Sequence, residues 1–190
     1  MIYLDDHIWG FDLQQALAEV SPQRREYALR YRLERDQRLS VAAYRLLQRA
    51  LLAEYGIEVA PQFHYDENGK PQLAGYHDVH FSLSHCREAV ACVVSAQPVG
   101  IDIETIDHYS EEVAARVMSE DEMREILTSP HPAEAFTRLW TMKESLYKLT
   151  GSDNNGDICL MLDKMPPVSF ETIVRPYGVC TVCRYKAVIS

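Results

Sequence analysis

The chain has 190 residues, 47% of them apolar and 25% charged, the proportions of an ordinary globular protein with enough chain for one sizeable core or two small lobes. A net charge of −9 argues against a general nucleic-acid binder, and no apolar run approaches the ~20 residues that span a bilayer. Met1-Ile2-Tyr3-Leu4-Asp5-Asp6 lacks the basic start and apolar stretch of a signal peptide, so a cytoplasmic address without membrane partners is expected. The five cysteines (Cys86, Cys92, Cys159, Cys180 and Cys183) are odd in number and scattered, which fits reduced thiols.

In chain order, residues 2–9 read as a short strand and Ser21-Pro22 as a helix start with proline at the first helical position. Residues 23–55 are expected to be helical: Leu39, Ala42, Ala43, Leu46, Leu47, Ala50 and Leu51 form an apolar stripe that Gly56 stops. Asp66-Glu67-Asn68-Gly69 is turn chemistry, and residues 79–85, 89–95 and 98–104 are strand candidates. A second helical region opens near Glu111, with a capping-box pattern at Ser119-Glu120-Asp121-Glu122 and a break at Ser129-Pro130-His131-Pro132. A helix over residues 133–149 ends at Thr150-Gly151. Short strands and loops follow, broken at Asn154-Asn155-Gly156 and Pro166-Pro167. Cys180 and Cys183 have zinc-ligand spacing but no partner pair, and on the strand suggested by Val179, Val182 and Tyr185 they face opposite sides. The order predicts an α+β fold of two similar lobes, residues 1–97 and 98–190, meeting near Pro98.

The chemistry concentrates in two segments about forty residues apart. In Val99-Gly100-Ile101-Asp102-Ile103-Glu104 apolar residues alternate with Gly, Asp and Glu, so Asp102 and Glu104 share one strand face, roughly 6.5 Å apart along it. In Trp140-Thr141-Met142-Lys143-Glu144-Ser145-Leu146-Tyr147-Lys148 the residues Trp140, Glu144 and Lys148 share a helix face. Each taken alone fits a solvated edge strand or an exposed helix pair better than a site. Together, with a bulky aromatic marking the helix face as partly buried, three carboxylates and an ammonium form a candidate site for a hard divalent cation, Mg²⁺ or Mn²⁺, holding phosphate oxygens. Ser84-His85 at a strand end, Lys70 after a tight turn and Arg38 opening the long helix are candidate anion ligands, although each also fits an ordinary surface role. Neither a Walker loop nor a G-x-S-x-G elbow is present.

These segments resemble the larger, surfactin-synthetase-activating (Sfp) type of 4′-phosphopantetheinyl transferase. The likeness covers about residues 21–151. It rests on Gly100-Ile101-Asp102-Ile103-Glu104, on Trp140-x-x-Lys143-Glu144-Ser145-x-x-Lys148, and on Gly69-Lys70-Pro71 and Phe81-Ser82-Leu83-Ser84-His85 in the family's order. The resemblance implies two α+β lobes in a pseudo-twofold arrangement with coenzyme A in the cleft between them. It implies metal carboxylates at Asp102, Glu104 and Glu144 and coenzyme-binding positions at Lys70, Ser84, His85 and Lys148, with His85 near the 3′-phosphate. Arg38 and Glu122 are carried over as a coenzyme-binding and a catalytic position. The implied reaction is Mg²⁺-dependent attack by a serine of an acyl or peptidyl carrier protein on the β-phosphorus of coenzyme A, releasing 3′,5′-ADP. Lys148 serves the leaving phosphate, and Glu144, or water relayed through Glu122, takes the serine proton. Two other readings stay open from the residues: another Mg²⁺-dependent phosphodiesterase or pyrophosphatase, and a non-catalytic coenzyme A or carrier-protein binding module. A monomer is expected, because two lobes already form one cleft. Gly151-Ser152-Asp153-Asn154-Asn155-Gly156-Asp157 departs from the family's Gly-x-Gly-Leu pattern, which bears on the choice of carrier.

Overall fold

The computed structural model describes residues 1–67, 69–151 and 158–187, so the atypical segment at 152–157 lies outside the described residues. The chain divides into two compact units, Met1–Gln97 and Pro98–Ser190.

The first unit runs β1 (Ile2–Asp5), α1 (Leu13–Glu19), α2 (Pro22–Leu29), α3 (Glu34–Tyr55), β2 (Phe63–Tyr65), β3 (Pro71–Leu73), β4 (His80–His85) and β5 (Val90–Ser95). Its antiparallel sheet has the order β1-β5-β4, with Val93 facing Ile2 on one side and Ser82 on the other. The apolar stripe of α3 packs on that sheet, Leu39, Leu46, Leu47, Ala50 and Leu51 meeting Phe81, Val90, Cys92 and Val94. The opposite side of α3 is covered as well. Val41 and Tyr44 join Leu13, Leu17, Val20 and Ala28 in a second cluster, and the Tyr44 hydroxyl donates to the Pro61 carbonyl at 2.9 Å. Burial on two sides is possible only because α1 and α2 fold back over a helix that is already amphipathic.

Several boundaries differ from expectation. The helix expected over 23–55 is two helices: the chain leaves α2 after Leu29 and re-enters at Leu33, whose φ of −93° and ψ of 133° are extended. The Gln37 side chain donates to the Tyr31 carbonyl at 2.8 Å across that bend. The first strand ends at Asp5 rather than residue 9, because the chain turns where Gly10 N–H donates to the His7 carbonyl at 3.0 Å. Helix α1, for which no expectation was drawn, is started by Asp12, whose carboxylate accepts from the Gln15 N–H at 2.8 Å.

The second unit runs β6 (Val99–Thr105), α4 (Glu111–Val117), α5 (Glu120–Thr128), α6 (Pro132–Thr150), a 3-10 turn at Ile158–Leu160, β7 (Val168–Arg175) and β8 (Gly178–Tyr185). Its sheet order, β6-β8-β7, repeats the scheme of the first unit: the opening strand pairs with the last, and the penultimate strand flanks it. Each unit thus combines a small antiparallel sheet with a long helix in an α+β layout. The Ser119 capping box forms, its hydroxyl accepting from Glu122 N–H at 3.3 Å while Glu122 Oε2 accepts from Ser119 N–H at 2.7 Å. Gly151 closes α6 in the left-handed region at φ 70°. Cys180 and Cys183 are buried on β8, and Cys183 packs with Leu146, Leu149, Met161 and Val168, an apolar setting whose burial pushes its thiol up to about 12. No helix among the described residues is long and apolar enough to cross a membrane.

Candidate active site

The site of the second unit starts from a missing side chain. A Cβ on Gly100 would stand 1.9 Å from the Ser145 carbonyl oxygen and 2.7 Å from the Leu149 nitrogen, both backbone atoms of α6. Glycine therefore lets helix backbone lie directly on strand backbone. That approach brings the polar face of α6 onto the carboxylates of β6. Lys148 Nζ donates to Asp102 Oδ1 at 2.7 Å, and Asp102 is only 3% exposed. Glu104 and Glu144 are half-buried. Burial first, then the Asp102 charge, pushes the Glu104 carboxyl up to about 7; Glu144 adds to the shift and Lys148 opposes it. Glu144 is raised by burial and by Asp102, again against Lys148. The four side chains expected to converge are thus one electrostatic cluster, short of positive charge. Among the described residues, however, no three His, Cys, Asp or Glu side chains stand close enough together to form a metal cage as they are. Trp140 stacks on Phe136 at 6.5 Å between ring centroids, and these rings with Thr137 and Glu104 line a pocket at the edge of the cluster.

Behind the cluster a buried chain of hydroxyls ties α6 to the sheet. Thr141 Oγ1 donates to the Arg138 carbonyl at 3.0 Å, so its 2.7 Å contact with Thr181 is one in which Thr181 donates. Thr181, its proton used, accepts from Thr172 at 3.1 Å. Thr181 lies directly opposite Asp102 in the β6–β8 register, so this chain and the acid occupy the same sheet face. Thr181→Val keeps the shape and breaks both bonds. The expected result is a loss of about 1–3 kcal/mol in urea unfolding; an unchanged midpoint would mean that the hydroxyls do not hold the helix.

Glu122 is placed differently from the other acids. It is 8% exposed, and besides capping α5 its Oε2 lies 2.7 Å from the ammonium of Lys143. Its other oxygen, Oε1, is buried with no hydrogen-bond partner among the described residues. Besides burial, Asp102 and Lys148 act on both Glu104 and Glu144, and Glu144 acts on Glu104; Glu122 is not among the neighbours that shift either.

In the first unit, Ser84 and His85 are the last residues of β4, paired with Ala91 and Val90. Strand alternation sends them to opposite faces, so a single ligand meets both only by wrapping the strand end. Lys70 follows the β2–β3 turn, its backbone N–H donating to Asp66 Oδ1 at 2.9 Å. Burial lowers its pKa while Asp66 works against the shift. Arg38 is occupied locally: Nη1 donates to the Phe11 carbonyl at 2.7 Å and Nε to Glu34 at 2.9 Å.

Two residues of interest have no role assigned from the sequence. Arg24 lies over the rings of Tyr27, Tyr44 and Phe63 at 4.8, 5.1 and 5.5 Å and donates to the Ser40 hydroxyl at 3.2 Å. Burial lowers its pKa, and its Nε is buried without a hydrogen-bond partner among the described residues. The sequence signal was its position four residues before Ala28, on the face α2 buries. The second is Lys143, a lysine inside the Leu139–Leu146 stripe of α6.

The comparisons with known proteins fall on this geometry. The sequence model of the 4′-phosphopantetheinyl transferase superfamily matches residues 98–184, the unit that carries the acid cluster. The chain is 31% identical over 154 residues to a 4′-phosphopantetheinyl transferase of Bacillus subtilis, covering 79% of this chain and 68% of the relative. It is 30% identical to the 4′-phosphopantetheinyl transferase Sfp of Bacillus subtilis strain 168, with the same coverage of 79% and 68%. It is 34% identical to the 4′-phosphopantetheinyl transferase psf-1 of Bacillus pumilus, covering 78% of this chain and 65% of that one. The chain belongs to the 4′-phosphopantetheinyl transferase superfamily, a family of group-transferring enzymes.

Proposed function

We propose that this protein transfers the 4′-phosphopantetheine group of coenzyme A to a serine of an apo acyl or peptidyl carrier protein, with Mg²⁺, in the cytoplasm and as a monomer. The observation that carries the reading is the cluster of Asp102, Glu104 and Glu144 around Lys148, on the unit matched by the family. Its donor set fits magnesium: all ligand atoms are carboxylate oxygens, and the burial and then the Asp102 charge that lift Glu104 and Glu144 are penalties on negative charge that a divalent cation offsets. Asp102, Glu104 and Glu144 would hold the ion, which supplies Lewis-acid withdrawal of charge from a pyrophosphate.

In the transfer, the serine oxygen forms a bond to the β-phosphorus of coenzyme A and the bond from that phosphorus to the 3′,5′-ADP oxygen breaks. Lys148, held toward the cluster by Asp102, presents its ammonium to the departing phosphate. Glu144, the carboxylate one turn before Lys148 on the same helix face, is the group proposed to receive the serine proton. Lys70, Ser84 and His85 would contact the anionic end of the coenzyme. Arg24, a half-buried guanidinium with an unused donor beside Ser40, joins them on the same chemical grounds. Arg38, committed to Phe11 and Glu34, would act by holding the loop before α1.

With Mg²⁺ and coenzyme A, an apo carrier protein is expected to gain ~340 Da, the mass of the transferred group. No gain on any member of a carrier panel, with the protein folded, would overturn the reading. Release of 3′,5′-ADP without a carrier would replace it with a phosphodiesterase.

A further inference from the structure

The reaction above makes no use of Lys143, yet its side chain is 0% exposed. Its Nζ lies 2.7 Å from Glu122 Oε2 and donates to the carbonyls of Val117 at 2.9 Å, Ile158 at 2.7 Å and Cys159 at 3.2 Å. The acceptors belong to three separate pieces of chain: the end of α4, the first turn of α5 and the 3-10 turn beyond α6. Replacing a buried ion pair by well-packed apolar residues is often neutral or stabilising, so stability alone does not account for a lysine between Leu139 and Leu146. Fixing register is the better-attested use of such a pair.

Lys143 ties α6 to elements outside the sheet, in addition to the bonds that join the helix to β6 and β8. On its sheet side the helix rests on Gly100 through the backbone of Ser145 and Leu149 and is tied by the Thr141–Thr181 and Lys148–Asp102 bonds, so a clamp on another side is what completes the control of its rotation. Side-chain tips stand about 5–6 Å from a helix axis, so a rotation of about 20° would move a carboxylate by about 2 Å. Displacements of about 1 Å are enough to cost a hundredfold in rate. Lys143 immediately precedes Glu144, and its acceptors lie on elements other than α6.

We propose that Lys143 is a positioning residue of the transfer reaction: bound to Glu122 and to the carbonyls of Val117, Ile158 and Cys159, it fixes the rotation of α6 and so the direction in which Glu144 and Lys148 point. Glu122 is the counter-ion of this clamp and acts through it. The inference rests on the transfer activity proposed above.

The test measures kcat and the KM for coenzyme A, on an apo carrier protein, for wild type, Lys143→Met, Glu122→Gln and the double variant, with urea unfolding in parallel. For Lys143→Met the expected result is a kcat lowered about a hundredfold with KM within about threefold of wild type. Glu122→Gln is expected to lose about tenfold in kcat with KM likewise kept, and the double variant to be no worse than Lys143→Met. A Lys143→Met kcat within about twofold of wild type, per folded molecule, overturns the clamp. So does a Glu122→Gln loss larger than that of Lys143→Met, which would make Glu122 a group acting on the substrate by itself. Should Lys143→Met not fold, Glu122→Gln and the double variant, which leaves no charge unpaired, decide by the same split. Absence of transfer by the wild type overturns the activity and the clamp together; wild-type transfer with intact variants overturns the clamp alone.

Discussion

Gly100→Ala should damage this protein more than any other single methyl group added to it. The new carbon would sit 1.9 Å from the Ser145 oxygen and 2.7 Å from the Leu149 nitrogen, and both are helix backbone, with no side chain to swing aside. Relief requires α6 to lift from β6. That would stretch the Thr141–Thr181 bond and the Lys148–Asp102 pair, each 2.7 Å long. Overpacking typically costs about 1–3 kcal/mol where side chains can adjust. Here the expected loss is about 3 kcal/mol or more in urea unfolding followed by circular dichroism, with transfer activity lowered at least about a hundredfold in whatever folds. A loss below about 1 kcal/mol would mean that α6 is not seated on the glycine.

The second large effect is expected at Asp102. Asp102→Ala removes a buried carboxylate from the proposed metal cluster and leaves Lys148 without its 2.7 Å partner. Metal assistance to phosphoryl chemistry is worth several kcal/mol, and at 1.36 kcal/mol per decade its loss lowers kcat by about three decades or more. Glu144→Ala should do the same by removing a second carboxylate together with the proposed proton acceptor. Stability should change far less than at Gly100, because Lys148 is partly exposed and recovers water. Thermal stabilisation by coenzyme A should require Mg²⁺ in the wild type and lose that requirement in Asp102→Ala. If either variant kept more than about a tenth of wild-type kcat, the assignment of the three acids would fail.

Much of this was legible from periodicity. The alternation in residues 99–104 and the four-residue spacing of Trp140, Glu144 and Lys148 located β6 and α6 to within a residue or two and put four charged groups on facing surfaces. The capping box at Ser119 and the stops at Gly56 and Gly151 were local chemistry and needed no tertiary information. The break between α2 and α3 was not visible, because residues 30–33 contain neither glycine nor proline and the bend is held by tertiary contacts such as Gln37 to Tyr31. Glu122 shows the other limit. Its sequence position fits a catalytic acid and a capping residue equally, and only the burial of Lys143, which a stripe of apolar neighbours hints at, reveals its partner. Arg24 likewise differs from Arg25 in nothing but the direction a helix turns it.

The strand order carries a consequence for how the molecule is made. In both three-stranded sheets the central strand is the last of the three in sequence: β5 separates β1 from β4, and β8 separates β6 from β7. Ile2 must wait for Val93, and Val99 for Arg184, before either opening strand has a partner. Such distant pairings close late and slowly. On the ribosome the first sheet can close while the second is still being synthesised. The acids of β6 stay on a strand without its sheet partner until Gly178–Tyr185 arrives, so the proposed metal-binding face is assembled only after that strand has been made.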